Sequence, residues 1–302
     1  MILLLGDLLL DLFALPLGST VDGASSFAPR QGGAVANVAA ALACLGVPCR
    51  LLAGVGRDAH GRRLLRELQA VGVDTSGVLP CPGATGVVFL QVDEAGERSF
   101  AGHSGGAEKA LSRQAIEEAL GDPLQGIRWF HTGSGVLEGG PLEEAGRWLV
   151  EEARGRGVPV SVDLNIRRHK WSSRERMGEA ARWLGERSAV LRASEEDLAA
   201  LGLPAELDAL ASLGPGAVAV LTRGARGAEA RVGGETLRQG ASPARVLETT
   251  GAGDAFTAGL LSVVASRSGP GAWGEALRAA SEAAARAVEG CGATEGLRGG
   301  TR

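Results

Sequence analysis

The sequence predicts an α/β fold: a mostly parallel sheet covered by helices, with a small additional β layer. Three observations carry that prediction. Short apolar runs alternate with helical patterns through the middle and C-terminal parts of the chain. One stretch, Thr85–Phe100, breaks the rhythm with hairpin chemistry. The chain has 302 residues, 45% of them hydrophobic, which is enough to bury a substantial core.

The elements follow in order. Met1–Leu17 is apolar but has no basic leading segment, and Asp7 and Asp11 interrupt it, so it reads as buried strand and not as a signal peptide. It is also too short to span a bilayer, and the protein is expected in the cytoplasm. Ala14–Pro29 is a Gly/Ser-punctuated connection. Ala34–Leu45 is almost entirely Ala, Val and Leu, the pattern of a helix buried on most sides. Val87–Val92 alternates, Asp93–Gly96 has turn chemistry and Arg98–Phe100 resumes the strand. Arg128–Thr132, Val158–Leu164, Ala189–Arg192 and Ala217–Leu221 read as buried strands; Leu142–Arg154, Arg174–Glu186 and Ala255–Ser266 read as helices. No repeat or linker divides the chain. A single domain over residues 1–302 is expected, with segments of about 12–30 and 84–103 forming the small layer. That layer serves either as a lid that keeps water from a substrate cleft or as an oligomerising surface, and a homodimer is expected.

The 31 basic and 35 acidic residues give a formal charge of −4 without long runs of one sign, which argues against nucleic acid as a partner. The four cysteines have no paired spacing and read as reduced thiols, and the four histidines stand too far apart for a zinc site.

Two glycine-rich segments carry chemistry. Thr249-Thr250-Gly251-Ala252-Gly253-Asp254 leads into an apolar helix. Unpaired N–H groups at such a helix start form an anion site, suited to the charge on a transferring phosphoryl group. Asp254 stands either as a helix N-cap or as a reactive acid. Gln31-Gly32-Gly33-Ala34-Val35-Ala36-Asn37 opens a second helix and places one amide in an apolar stretch. If buried, Asn37 needs a partner: a backbone group, a water or a polyol hydroxyl.

These two segments, the Gly32–Asn37 one running on to Leu45-Gly46, resemble the two signature motifs of the ribokinase-like (pfkB) family of carbohydrate kinases. Gly54-x-Gly56-x-Asp58-x-x-Gly61, Gly96-Glu97-Arg98-Ser99-Phe100, Asp163-x-Asn165-x-Arg167 and Thr222-x-Gly224-x-x-Gly227 match between them in the same order. The resemblance implies a ribokinase-like fold: a mostly parallel central sheet with helices on both faces and a small β-strand lid. It implies an ATP-dependent kinase in which Asp254 is the general base and Gly251, Ala252 and Gly253 form the anion hole. Asp11, Gly32, Gly33 and Asn37 would meet sugar hydroxyls, and Asn165, Ser194, Thr222, Gly224 and Gly227 would serve the nucleotide. Magnesium would be held mainly by phosphate oxygens and water.

The Asp163-x-Asn165-x-Arg167 run followed by Trp171 is similar to fructokinases and 2-keto-3-deoxygluconate kinases. The resemblance therefore implies a ketose or keto-sugar acid as acceptor. Arg98 would touch substrate from the lid or stand in solvent. Arg167 would bind phosphate or an anionic substrate, or form a surface ion pair. Ser194-Glu195-Glu196-Asp197 departs from the usual Asn-x-x-Glu, so Asp197 has an indirect metal role or caps a helix. Glu248 replaces a more common Asp beside a monovalent-cation site, which leaves potassium activation open. A P-loop string is absent, and Gly54-Val55-Gly56 lacks the third glycine of a dinucleotide site. A catalytically silent sugar-binding homologue and a ribose or nucleoside kinase remain as alternatives.

Overall fold

The computed structural model describes residues 1–16, 18–92, 98–267, 271–290 and 294–298, without the side chains of 92 and 98. Its strands are β1 (Ile2–Leu5), β2 (Leu9–Leu15), β3 (Ser26–Gly32), β4 (Cys49–Val55), β5 (Asp74–Pro80), β6 (Val87–Val92), β7 (Arg98–Ser104), β8 (Trp129–Gly133), β9 (Val160–Asp163), β10 (Val190–Ser194), β11 (Val218–Thr222), β12 (Ala228–Val232) and β13 (Glu235–Gln239). Its helices are α1 (Ala34–Cys44), α2 (Ala59–Ala70), α3 (Arg113–Leu120), α4 (Pro141–Gly155), α5 (Arg174–Gly185), α6 (Glu195–Leu201), α7 (Leu207–Leu213), α8 (Ala252–Val264), α9 (Ala272–Val288) and α10 (Glu295–Arg298).

The larger sheet runs β13-β12-β11-β10-β9-β8-β1-β4-β5 and is parallel from β11 to β5, with β12 and β13 antiparallel at one edge. The inner strands are mostly apolar because helices cover both faces of the sheet, with Ser161, Asp163 and Arg192 among the buried exceptions. In β1, Ile2 and Leu4 join one core with Leu42 of α1, Phe256 of α8 and Leu277 of α9. Leu3 and Leu5 face the opposite core, with Leu149 of α4, Leu184 of α5 and Leu210 of α7. The strands' common direction brings the C-terminal ends of β1, β8, β9, β10 and β11 to one rim, where an open α/β sheet forms its crevice.

The second sheet runs β3-β2-β6-β7. Strand β2 pairs antiparallel with β3, setting Asp11 opposite Arg30, and parallel with β6, setting Leu10 opposite Val87. The expected hairpin is present as β6 and β7, and its 93–97 turn lies outside the described residues. Met1–Leu17 differs from expectation. It is two strands in two sheets, broken where Gly6 passes so close to α1 that a Cβ there would come within 2.5 Å of the Val35 side chain. Ala14–Pro29, expected as a connection, supplies the ends of β2 and β3. Among the described residues, no helix is long and apolar enough to cross a membrane.

Candidate active site

Helix α8 begins three residues before the expected Ala255. Its N-cap is Gly251 in the left-handed region (φ 74°), and no side chain caps it. That conformation is cheap only for glycine, which explains the residue type at the turn. Asp254 thus sits within the first helical turn, not at the cap position, and the N-cap reading falls away. It is buried and accepts a 2.9 Å hydrogen bond at Oδ2 from Asn37 Nδ2. Burial pushes its pKa up to about 6; the Asn37 bond and the charges of Arg167 and Arg192 work against that rise, and Asp163 adds to it.

Asn37 is buried in α1, and its Oδ1 accepts from Gln31 Nε2 at 3.2 Å. Its amide therefore reaches Asp254 and Gln31, two side chains that the sequence alone did not pair with it. The bond joins the two glycine-rich segments directly. Gly33, the N-cap of α1, has φ 98°, and a Cβ there would come within 2.3 Å of Asp7 O. A Cβ on Gly32 would lie 2.4 Å from Asp11 Oδ1, so this glycine is what lets Asp11 lie against the end of β3.

Beneath α8 lies a buried charged cluster that the sequence reading did not identify. Arg192, in the middle of β10, donates through Nη1 to both oxygens of Asp163 at 2.9 Å and through Nη2 to Thr222 Oγ1 at 2.6 Å. Thr257 of α8 donates to Asp163 Oδ2 at 3.1 Å. A Cβ on Gly253 would lie 3.1 and 3.2 Å from the two terminal guanidinium nitrogens, so the anion turn rests on Arg192. The available signal was a lone charged residue within the apolar run of β10.

Asp197 is also buried. Its Oδ1 accepts from Ile166 N at 2.6 Å, and its Oδ2 accepts from Ser194 N at 2.8 Å and Ser194 Oγ at 3.0 Å. Ser194 Oγ in turn accepts from Asp197 N, closing a capping box at the start of α6. Of the two readings for Asp197, the geometry carries the helix cap. Ser194 likewise acts as a cap.

A small cleft opens at the rim beyond β1, β8 and β9; Asp7, Gly135, Glu138, Asn165, Arg167 and Lys170 are among its walls. Asn165 has φ 37°, a strained value for a residue with a side chain. Lys170 lies 3.8 Å from Asp7, and Lys109 lies 3.4 Å from Glu138. Burial opposes the Lys170 charge, yet Asp7 and Glu138 hold its pKa above the ordinary value. Arg167 makes a 3.3 Å bond to Ile166 O and, among the described residues, has no carboxylate within ion-pair reach, so the surface ion-pair alternative falls away.

The structure thus brings together Asp254, Asn37 and Gly253, and separately Asn165 and Arg167. Gly224 and Gly227 form a tight turn after β11. Thr222 reaches the cluster through Arg192. Arg98 opens β7, and its side chain lies outside the described residues. Glu248 pairs with Arg30 of β3 at 2.9 Å and accepts a hydrogen bond from Thr250. Asp7, Glu138, Lys170 and Arg192 were missed, because isolated charges carry no spacing signal.

The profile of the pfkB family carbohydrate kinases matches residues 1–298. A fructokinase of Rhizobium leguminosarum bv. trifolii is 32% identical over 264 residues, covering 86% of this chain and 78% of that protein. The aminoimidazole riboside kinase of Salmonella enterica, solved with aminoimidazole riboside and an ATP analogue, superposes with TM-score 0.83 at 26% identity, over 98% of this chain and 96% of that one. A fructokinase double mutant of Vibrio cholerae O395, bound to fructose, ADP and potassium ion, gives 0.82 at 26% identity over 98% and 94%. The chain belongs to the pfkB family of carbohydrate kinases and is a phosphotransferase with a ribokinase-like fold.

Proposed function

We propose that this kinase transfers the γ-phosphate of ATP to a hydroxyl of a neutral ketose of the fructose type, with Asp254 as general base. The observation that carries the reading is the Asp254 carboxylate. It is buried at the start of α8, oriented by Asn37, and has a pKa near 6, close to the operating range of a base. Oδ2 accepts from Asn37, leaving Oδ1 to take the proton of the acceptor hydroxyl. The hydroxyl oxygen then forms its bond to the γ-phosphorus as the bond to the β-phosphate oxygen breaks, and ADP leaves with that electron pair.

The charge spread over the phosphoryl group in transit is met by the N–H groups of the Gly251–Gly253 turn and by the guanidinium of Arg167. ATP lies along the rim past Thr222, Gly224 and Gly227. Mg²⁺ bound with it would be held by phosphate oxygens and water and would help neutralise the charge on the transferring group. Asp197, held by the α6 cap and Ile166, is assigned to structure and not to that metal. The four-stranded sheet acts as the lid. It carries Asp11 against Gly32, and Phe100 of β7 stacks on His169 beside the cleft with ring centroids 4.0 Å apart.

A neutral sugar is favoured over a sugar acid by the walls of the cleft, where the acids Asp7 and Glu138 stand with the bases Lys170 and Arg167, leaving little net charge. The likeness to fructokinases supports the same choice. The unpaired Arg167 is the feature that favours a keto-sugar acid. ATP turnover over a panel of ketoses, 2-keto-3-deoxy acids, ribose and nucleosides separates these readings. Fructose or a related ketose is expected to turn over fastest. Faster turnover of a keto acid would assign Arg167 to its carboxylate, and sugar binding without turnover would identify a silent homologue.

A further inference from the structure

We propose that Arg192 is a positioning residue for phosphoryl transfer: a buried guanidinium that ties Asp163, Thr222 and Gly253 together beneath the anion turn and serves as the counter-charge of Asp254. The inference rests on the assignment of Asp254 as base.

Arg192 is 7% exposed, and its Nε is buried with no hydrogen-bond partner. A buried cation with an unsatisfied donor is a poor way to stabilise a sheet, since desolvation of each ion costs several kcal/mol. An apolar residue at this central strand position would avoid that cost. The arrangement instead serves geometry. One planar group spans three adjacent strands: β10 carries it, β9 supplies Asp163 to Nη1, and β11 supplies Thr222 to Nη2. Its terminal nitrogens lie against Gly253, and Asp163 continues the chain of contacts to Thr257, one turn beyond Asp254. The segments leading to Asn165, to the Gly224 turn and to the phosphoryl turn thus share one anchor.

The electrostatics point the same way. Asp163, Asp197 and Asp254 are all buried, and all three carboxylates act on the Arg192 charge. Asp254 itself is faced by Asn37 from α1, Asp163 from β9, Arg167 from the loop after β9 and Arg192 from β10. Arg167 lines the open cleft, whereas Arg192 is buried beneath the turn and is not among the cleft walls, so its charge is a fixed part of the site. Removing it should leave the base harder to ionise, and removing Asp163 should do the reverse.

The test is the pH dependence of kcat/KM, with the best sugar of the panel, for the parent enzyme, Arg192→Met, Arg192→Lys and Asp163→Asn. The acid limb should move up in Arg192→Met and by less in Arg192→Lys. It should move down in Asp163→Asn. Turnover lost at neutral pH in Arg192→Met should be partly regained at alkaline pH. If Arg192→Met does not fold, the Arg192→Lys and Asp163→Asn shifts still decide the matter. Limbs that coincide with the parent's, with rate losses independent of pH, would overturn the proposal and reduce Arg192 to scaffolding. No acid limb in the parent would instead count against Asp254 as the titrating base.

Discussion

Helices α6 and α8 both carry a buried aspartate in the first turn, and burial raises the pKa of both acids, yet the two sites differ in kind. Asp197 of α6 is enclosed by donors, with Ile166 N on one oxygen and Ser194 N and Oγ on the other. Asp254 of α8 has one side-chain donor among the described residues, Asn37, and its helix is capped by a glycine with no side chain to offer. One acid holds a helix end together; the other is desolvated, oriented and still has an oxygen for a proton. A raised pKa does not separate these roles. The number of donors already committed to each carboxylate does.

Substitution at the two positions should break the pair apart most visibly. Asp254→Asn keeps an acceptor for Asn37 but removes the base, and turnover is expected to fall by about 10²–10⁴. Asp197→Asn should retain far more turnover and lose stability instead, by about 1–3 kcal/mol. An amide nitrogen cannot accept, so the donors on one carboxylate oxygen are left unpaired, a loss that relief of the buried charge offsets in part at neutral pH. Steady-state kinetics and denaturant unfolding of both variants give the two readouts.

The stability of Asp254→Asn supplies the next contrast. A folded pKa of about 6 against an unfolded 3.8 means that the folded state holds the extra proton between those values. Stability therefore falls as pH rises through that window, and the ionised carboxylate is a burden at neutral pH. Asp254→Asn should unfold at higher denaturant than the parent at pH 7.5, by on the order of 1–3 kcal/mol, with the advantage shrinking towards pH 4. An aspartate there only to stabilise its helix would give the opposite sign.

Smaller effects should follow at the supporting residues. Asn37→Ala removes the bond that orients Asp254 and opposes its raised pKa, so turnover should fall by about ten- to hundredfold and the acid limb of the pH profile should move up. Ser194→Ala removes the α6 cap and should cost about 1 kcal/mol of stability without moving that limb. A shift of the limb in Ser194→Ala would mean that the two helix starts are coupled more closely than their hydrogen bonds indicate.

Much of this comparison was legible in the sequence. Apolar runs and helical periods located β8 to β11 and the helices α4 and α5 that follow β8 and β9, because buried parallel strands leave continuous hydrophobic stretches. The two glycine-rich helix starts were found because close backbone approach demands small residues. Other features exist only once the chain is folded. Met1–Leu17 reads as one strand since both halves are apolar, and only the packing of Gly6 on Val35 shows where it changes sheets. Arg192 ended a predicted strand because nothing local reveals that Asp163 and Thr222 flank it. Asp254 and Asp197 looked alike because both are acids close to a helix start. Their partners, Asn37 and Ile166, come from distant segments.

The most direct test of the account is the pH dependence of single-turnover phosphoryl transfer by the parent and by Asp254→Asn, with sugar and ATP saturating. The parent rate should rise with pH through about 6 and level off, and the variant should be slow and flat across that range. An Asp254→Asn profile that keeps the parent's acid limb, at comparable rates, would contradict the assignment of Asp254 as the base.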